Sequence, residues 1–247
     1  MADWQRRRYA LAGRDRRRYA LAGREPRSYP GRAPVPSAAS AALACQLLVQ
    51  PDRTTCGSAS LVLARMIADP EYCQQILGRE DDRRTPGLGP VGAASNSAAR
   101  RNFTEAALDM HRRTNRWHDA DGAWQLAWPR SLGTSPWAAA RQLTMSTNMP
   151  GVRYRMAVVD PLRADEAYLR VLTTVRGGLP CALFVGDALC PRHVVLVVAV
   201  DVAVDPDGLI AYEPSAGGLR GLDRERFVTG QLSLAGWDEP WLAVLPD

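Results

Sequence analysis

Three side chains in this sequence could together perform acyl transfer: a thiol, an imidazole and a side-chain amide. Cys56 stands where an apolar helix begins, in the run Gln50-Pro51-Asp52-Arg53-Thr54-Thr55-Cys56-Gly57-Ser58-Ala59-Ser60. The thiolate is the nucleophilic form of cysteine, and a helix N-terminus favours it through the dipole and the free N–H groups there. Thr55 is placed to cap that helix, and Gly57 leaves room for a substrate carbonyl to approach the backbone. Gln50 could donate its amide N–H to an oxyanion beside the backbone N–H of Cys56. His193 heads the apolar run Val194-Val195-Leu196-Val197-Val198-Ala199-Val200. A strand there would hold the ring at the edge of the core, where a base for the thiol is needed.

Each residue also has a plainer reading. Most free cysteines are small buried hydrophobes. His193 could be a half-buried histidine with its hydrogen bonds met, and Gln50 could close a turn before Pro51. The combination argues for chemistry, and a fourth residue strengthens it. The strand Leu209-Ile210-Ala211-Tyr212 delivers Glu213 at its end, twenty residues after His193. Antiparallel pairing of 193–200 with 209–213 would return that carboxylate to the imidazole and orient it. Asp201, Asp205 and Asp207 fall at the far end of the same hairpin. His111 and His118, among Arg112, Arg113, Arg116 and Asp119, read as solvated surface.

The elements that must position these groups follow from pattern. Residues 47–50 are a short extended lead-in. Residues 56–68 form a helix whose apolar positions crowd most of its circumference, so it should be central. A charged loop with Gly and Pro spans 79–92, and 98–113 and 136–145 have helical composition. Residues 152–159 read as a strand and 163–175 as a helix. Strands follow at 180–185, 193–200 and 209–212, with a helical turn at 223–228. A helical first half and a mostly antiparallel second half predict an α+β protein with a cleft between lobes.

The bulk numbers fit one substantial core or two lobes: 247 residues, 46% hydrophobic and 23% charged. All 31 basic side chains are arginine, and the net charge is +5. That charge is local. Residues 1–34 hold ten arginines against Asp3, Asp15 and Glu25, so the remainder is slightly acidic. The high pI therefore predicts no specific nucleic-acid site. Arg6–Arg14 reads RRRYALAGR and Arg16–Arg24 repeats it, ahead of Pro26, Pro30, Pro34 and Pro36. Residues 1–36 read as a disordered arm, either an anchor for an anionic partner or a slip in a tolerant terminus. Residues 37–247 form the folded domain, mainly helical over 37–150 and mainly β over 151–247.

Five cysteines at irregular spacings (Cys45, Cys56, Cys73, Cys181 and Cys190) make no disulfide framework, and no C-x-x-C pair suggests zinc. All but Cys56 read as structural. Arginines interrupt the apolar stretches an export signal would need, so the cytoplasm is the expected compartment, and no membrane span is expected.

Gln50, Cys56-Gly57, His193-Val194-Val195 and Glu213-Pro214 together resemble the papain-like cysteine peptidases, in the branch of bacteriocin leader-processing peptidases. The 137 residues from Cys56 to His193 match the spacing of about 130–150 in papain-type enzymes. Gly178-Leu179-Pro180 and Phe227 followed by Trp237 or Trp241 are similar to the branch as well. The resemblance covers 47–245, with 79–150 alike only in helical character, and the third member here is Glu where the branch has Asp. It implies a two-lobed fold, with Cys56 on the helical lobe and His193 on the β lobe. It further implies a thiol hydrolase acting on a peptide or amide bond of a peptide or protein substrate, through a Cys56 thioester. Cys56, His193, Glu213 and Gln50 would be catalytic, without metal or organic cofactor. An acyltransferase or transglutaminase-like enzyme would share the thioester chemistry. A catalytically silent binding module would share only the fold.

Overall fold

The computed structural model describes residues 46–78, 91–118, 124, 126, 128, 131, 133–147, 149–201, 205 and 207–247. The arm at 1–36, Cys45 and most of the expected loop at 79–92 lie outside them.

The first helix, α1 (Cys56–Ala68), is buried from Cys56 through Ala64 and again at Met66. An apolar helix with so little solvent-facing surface has to sit at the centre of its layer, as its composition predicts. Asp69 ends it and starts α2 (Pro70–Leu77). Its side chain accepts the Tyr72 N–H at 3.0 Å, with proline in the first turn, a favoured helix start. Helix α3 (Val91–Thr114) begins earlier than composition suggests, so residues 91 and 92 are helical rather than loop. It presses Phe103, Ala107 and Met110 into the same core as α1. Helix α4 (Pro136–Thr147) adds Ala139, Ala140 and Leu143.

Among the described residues the second half builds one six-stranded antiparallel sheet. Its strands are β1 (Tyr154–Val158), β2 (Cys181–Gly186), β3 (Pro191–Val200), β4 (Leu209–Glu213), β5 (Gly218–Leu222) and β6 (Glu239–Pro246). They lie in the order β1-β6-β2-β3-β4-β5. The last strand thus inserts between β1 and β2. Helices α5 (Ala164–Arg176) and α6 (Arg224–Thr229) interrupt the strand series.

The sheet is apolar on both faces, which explains the unbroken hydrophobic run after His193. Phe184, Val194, Leu196 and Tyr212 pack with α1–α4. Leu183, Val195, Val197 and Ala211 pack with Tyr168, Val171 and Leu172 of α5 and Phe227 of α6. Alternate residues of one strand serve opposite cores. The protein is α+β, with helices covering both sheet faces rather than segregated to one half. Arg224 clamps α6 to α5 through a two-pronged hydrogen bond to Asp165, at 2.8 and 2.9 Å. Among the described residues no helix is long and apolar enough to cross a membrane.

Candidate active site

The site forms where the N-terminus of α1 meets the start of β3 and the end of β4. Cys56, at the first position of α1, is 4% exposed. The turn before it is organised by Asp52. Its carboxylate accepts the Thr54 N–H and the Thr54 hydroxyl, each at 2.7 Å, a local turn typical of Asp. Burial pushes this carboxyl up, but the bonds from Thr54 and Thr55, with the charge of His111, hold it below its ordinary range. Thr55 does not cap the helix. Its hydroxyl donates to the Asp52 carbonyl at 3.0 Å and accepts the Asp52 N–H at 3.1 Å. The expectation of a Thr55 cap is therefore corrected. Thr55 closes the turn, and the first N–H groups of α1 receive no side-chain cap there.

Gly57 is needed for a different contact than the sequence suggests. A Cβ on it would sit 2.7 Å from the Thr134 Cβ and 2.9 Å from its Oγ1. Thr134 hydrogen-bonds Ser58 side chain to side chain at 3.1 Å, so the segment before α4 is fitted against the cysteine turn. Gly133, at φ +75°, lies against the Thr54 carbonyl in the same fit.

The expected hairpin return occurs. Strand β3 pairs β4 antiparallel with Leu196 opposite Tyr212, and the ends of both strands meet. His193 Nε2 lies 2.8 Å from Glu213 Oε1, and both side chains are almost fully buried. The interaction with Cys56 is among the causes that raise the imidazole's pKa. With Nε2 taken by Glu213, Nδ1 is the nitrogen left for the thiol. Burial pulls the His193 pKa down, but the interactions with Cys56 and Glu213 outweigh it and raise it to about 9. Burial likewise pushes Glu213 up. Hydrogen bonds from His193, Ser215 and the Ala216 N–H outweigh that and pull it down to about 2. The Ser215 N–H reaches Oε1 at 2.8 Å, while the Ser215 hydroxyl and Ala216 N–H reach Oε2 at 2.8 and 2.9 Å. Ser60 of α1 donates to the Val194 carbonyl at 3.4 Å, tying the thiol's helix to the imidazole's strand.

Gln50 is held beside this group through its backbone. Its N–H donates to the Pro214 carbonyl at 2.9 Å, one residue past Glu213. One hydrogen of its amide goes to the Asp52 carbonyl at 2.8 Å, which leaves the other for a ligand. The amide oxygen is buried with no hydrogen-bond partner.

His111 corrects an expectation. It is buried at 8% exposure, with Asn115 donating to its carbonyl at 2.8 Å. Arginine neighbours in sequence gave the wrong face of α3. His118 is exposed as expected. Cys73 and Cys181 are buried and burial pushes both thiols up, while Cys190 is half-buried in the β2–β3 turn. The Ser215 and Ala216 partners of Glu213 were missed at the sequence level, although Ser after Glu-Pro at a strand end is a turn signal. Trp117 and Trp124 stand 6.3 Å apart, both more than half exposed, while Trp128 packs edge-on against Trp137.

Comparison with protein-family models, curated proteins and solved structures finds no match to this chain.

Proposed function

We propose that this protein is a papain-like thiol hydrolase that cleaves a peptide or amide bond through a thioester on Cys56. One observation carries the reading. A single imidazole, His193, is bonded to a buried carboxylate whose other lone pairs are already occupied, and its pKa is raised by Cys56, the thiol at a helix N-terminus. A carboxylate so satisfied has one function left, which is to fix the ring and stabilise its cation.

In this mechanism the Cys56 proton passes to His193 Nδ1, and the sulfur attacks the substrate carbonyl carbon. The new S–C bond turns the carbonyl oxygen into an oxyanion, met by the Cys56 N–H and the second amide hydrogen of Gln50. Collapse breaks the C–N bond as His193 protonates the leaving amine. Water, deprotonated by the same imidazole, then hydrolyses the thioester. Glu213 holds Nε2–H throughout and keeps the proton-accepting nitrogen turned toward sulfur.

The test is alkylation of Cys56 by iodoacetamide at pH 6, read by mass spectrometry. Labelling much faster than a free thiol, lost in His193→Ala, supports the reading; labelling at the free-thiol rate overturns it. Peptides from a lysate cut by the wild type and left intact by Cys56→Ala would then define the bond.

A further inference from the structure

We propose that Tyr212 is a positioning residue for Gln50, its hydroxyl fixing the oxyanion donor by holding the Leu48 carbonyl. The proposal rests on the thiol-hydrolase reading above. Tyr212 lies one residue before Glu213 on β4 and is fully buried. Its hydroxyl donates to the carbonyl of Leu48, itself fully buried. Two residues later the Gln50 N–H donates to the Pro214 carbonyl at 2.9 Å. Between these bonds the turn presses on the segment at Gly217, where φ is +64°. A Cβ there would stand 2.6 Å from Val49 Cγ2 and 3.1 Å from the Leu48 carbonyl. Residues 48–50 are therefore fastened at both ends to the strand terminus that carries Glu213.

The ring of Tyr212 fills the core, and a phenylalanine ring would fill it equally. The hydroxyl is the group that bonds the segment. Removing it leaves a buried carbonyl without a partner, and the segment must shift to recover one. Gln50 lies two residues on and precedes Pro51, which restricts its backbone to extended conformations, so a shift at Leu48 passes to the amide. Burial, with the charges of Glu213 and Cys56 nearby, keeps the phenol far above its ordinary pKa, so it remains a donor.

Two reagents separate this role from a general structural one. With p-nitrophenyl acetate the S–C bond forms, the carbonyl oxygen passes through an oxyanion, and the C–O bond breaks to release p-nitrophenolate. With iodoacetamide the S–C bond forms as C–I breaks, and no oxyanion arises. The full chain is compared as wild type, Tyr212→Phe, Gln50→Ala and the double variant. The expected result is unchanged alkylation in all four. Acylation slows about tenfold in Tyr212→Phe and about 10²-fold in Gln50→Ala, and no further in the double variant. Gly217→Ala, which displaces the same segment and leaves Tyr212 intact, should show the same split should Tyr212→Phe fail to fold. Unchanged acylation in Tyr212→Phe, equal losses with both reagents, or additive losses would overturn the proposal. A wild type that reacts with neither reagent faster than a free thiol sinks the hydrolase reading itself, and this role with it.

Discussion

His193 Nε2 and Glu213 Oε1 stand 2.8 Å apart, and the same carboxylate accepts three further hydrogen bonds from the two residues just past Pro214. The imidazole is thus oriented by a group that is itself immobilised. Glutamate has one methylene more than aspartate, and here that length lets the carboxylate fold back over its own turn while still reaching the ring.

Glu213→Gln should test that orientation. An amide cannot serve both as acceptor for Nε2–H and as acceptor for all three turn donors, and it carries no charge to stabilise the imidazolium. Acylation by p-nitrophenyl acetate should fall by about 10²-fold or more. The basic limb of the pH profile should also move. In the wild type the imidazolium persists until about pH 9, and the loss of a supporting carboxylate should bring that limb downward. A variant with wild-type rate and limb would show that Glu213 does not act on His193.

Stability should depend on pH at both ends for different reasons. His193 has a folded pKa of about 9 against an ordinary 6.5. Its contribution is complete below about pH 6.5 and is lost as pH rises through about 9. Glu213 is depressed to about 2 from an ordinary 4.5, so its contribution is complete above about pH 4.5 and lost as pH falls through about 2. Urea midpoints measured across pH should be highest between about 4.5 and 6.5 from this pair. In His193→Ala the decline toward pH 9 should flatten.

Ser215→Ala removes one of the two donors to Glu213 Oε2 and leaves the Ala216 N–H in place. Ser215 is exposed, so water can partly replace its hydroxyl. The expected cost is about 1 kcal/mol in urea denaturation. Acylation should fall less than in Glu213→Gln, because the Nε2 bond remains. A loss as large as that of Glu213→Gln would mean the hydroxyl touches the reaction directly.

The central helix, the strands expected at 180–185, 193–200 and 209–212 (found within a residue or two of those bounds), and the return of Glu213 to His193 were all legible in the sequence. Each rests on local pattern: an apolar run, a turn after it, and the register of one hairpin. What was not legible depends on distant partners. Strand β6 contains Pro240 near its start, and it makes sense as a strand only between β1 and β2, where its ladder bulges near that proline. The burial of His111 depends on which face of α3 meets the Asp52 turn, and its arginine neighbours mask that. Thr55 has the residue type of a cap, yet Asp52 competes for its hydroxyl three residues earlier. Gly57 reads from sequence as room for a substrate carbonyl, whereas the neighbour it makes room for, Thr134, is more than seventy residues away.

Gly57→Ala tests that close approach. The added methyl would meet the Cβ and Oγ1 of Thr134 at under 3.0 Å, and neither atom lies at the end of a flexible chain. The two can separate only if α1 or the segment before α4 moves, and both are buried around the contact. Overpacking of this kind costs about 1–3 kcal/mol. Because Cys56 adjoins Gly57, the thiol should also retreat from His193, so iodoacetamide labelling at pH 6 should slow along with the fall in melting temperature. Thr134→Gly removes both clashing atoms, at the expense of the bond to Ser58. In the Gly57→Ala background it should restore labelling more completely than stability. If Gly57→Ala alone melts and labels like the wild type, Thr134 does not set the position of the cysteine turn.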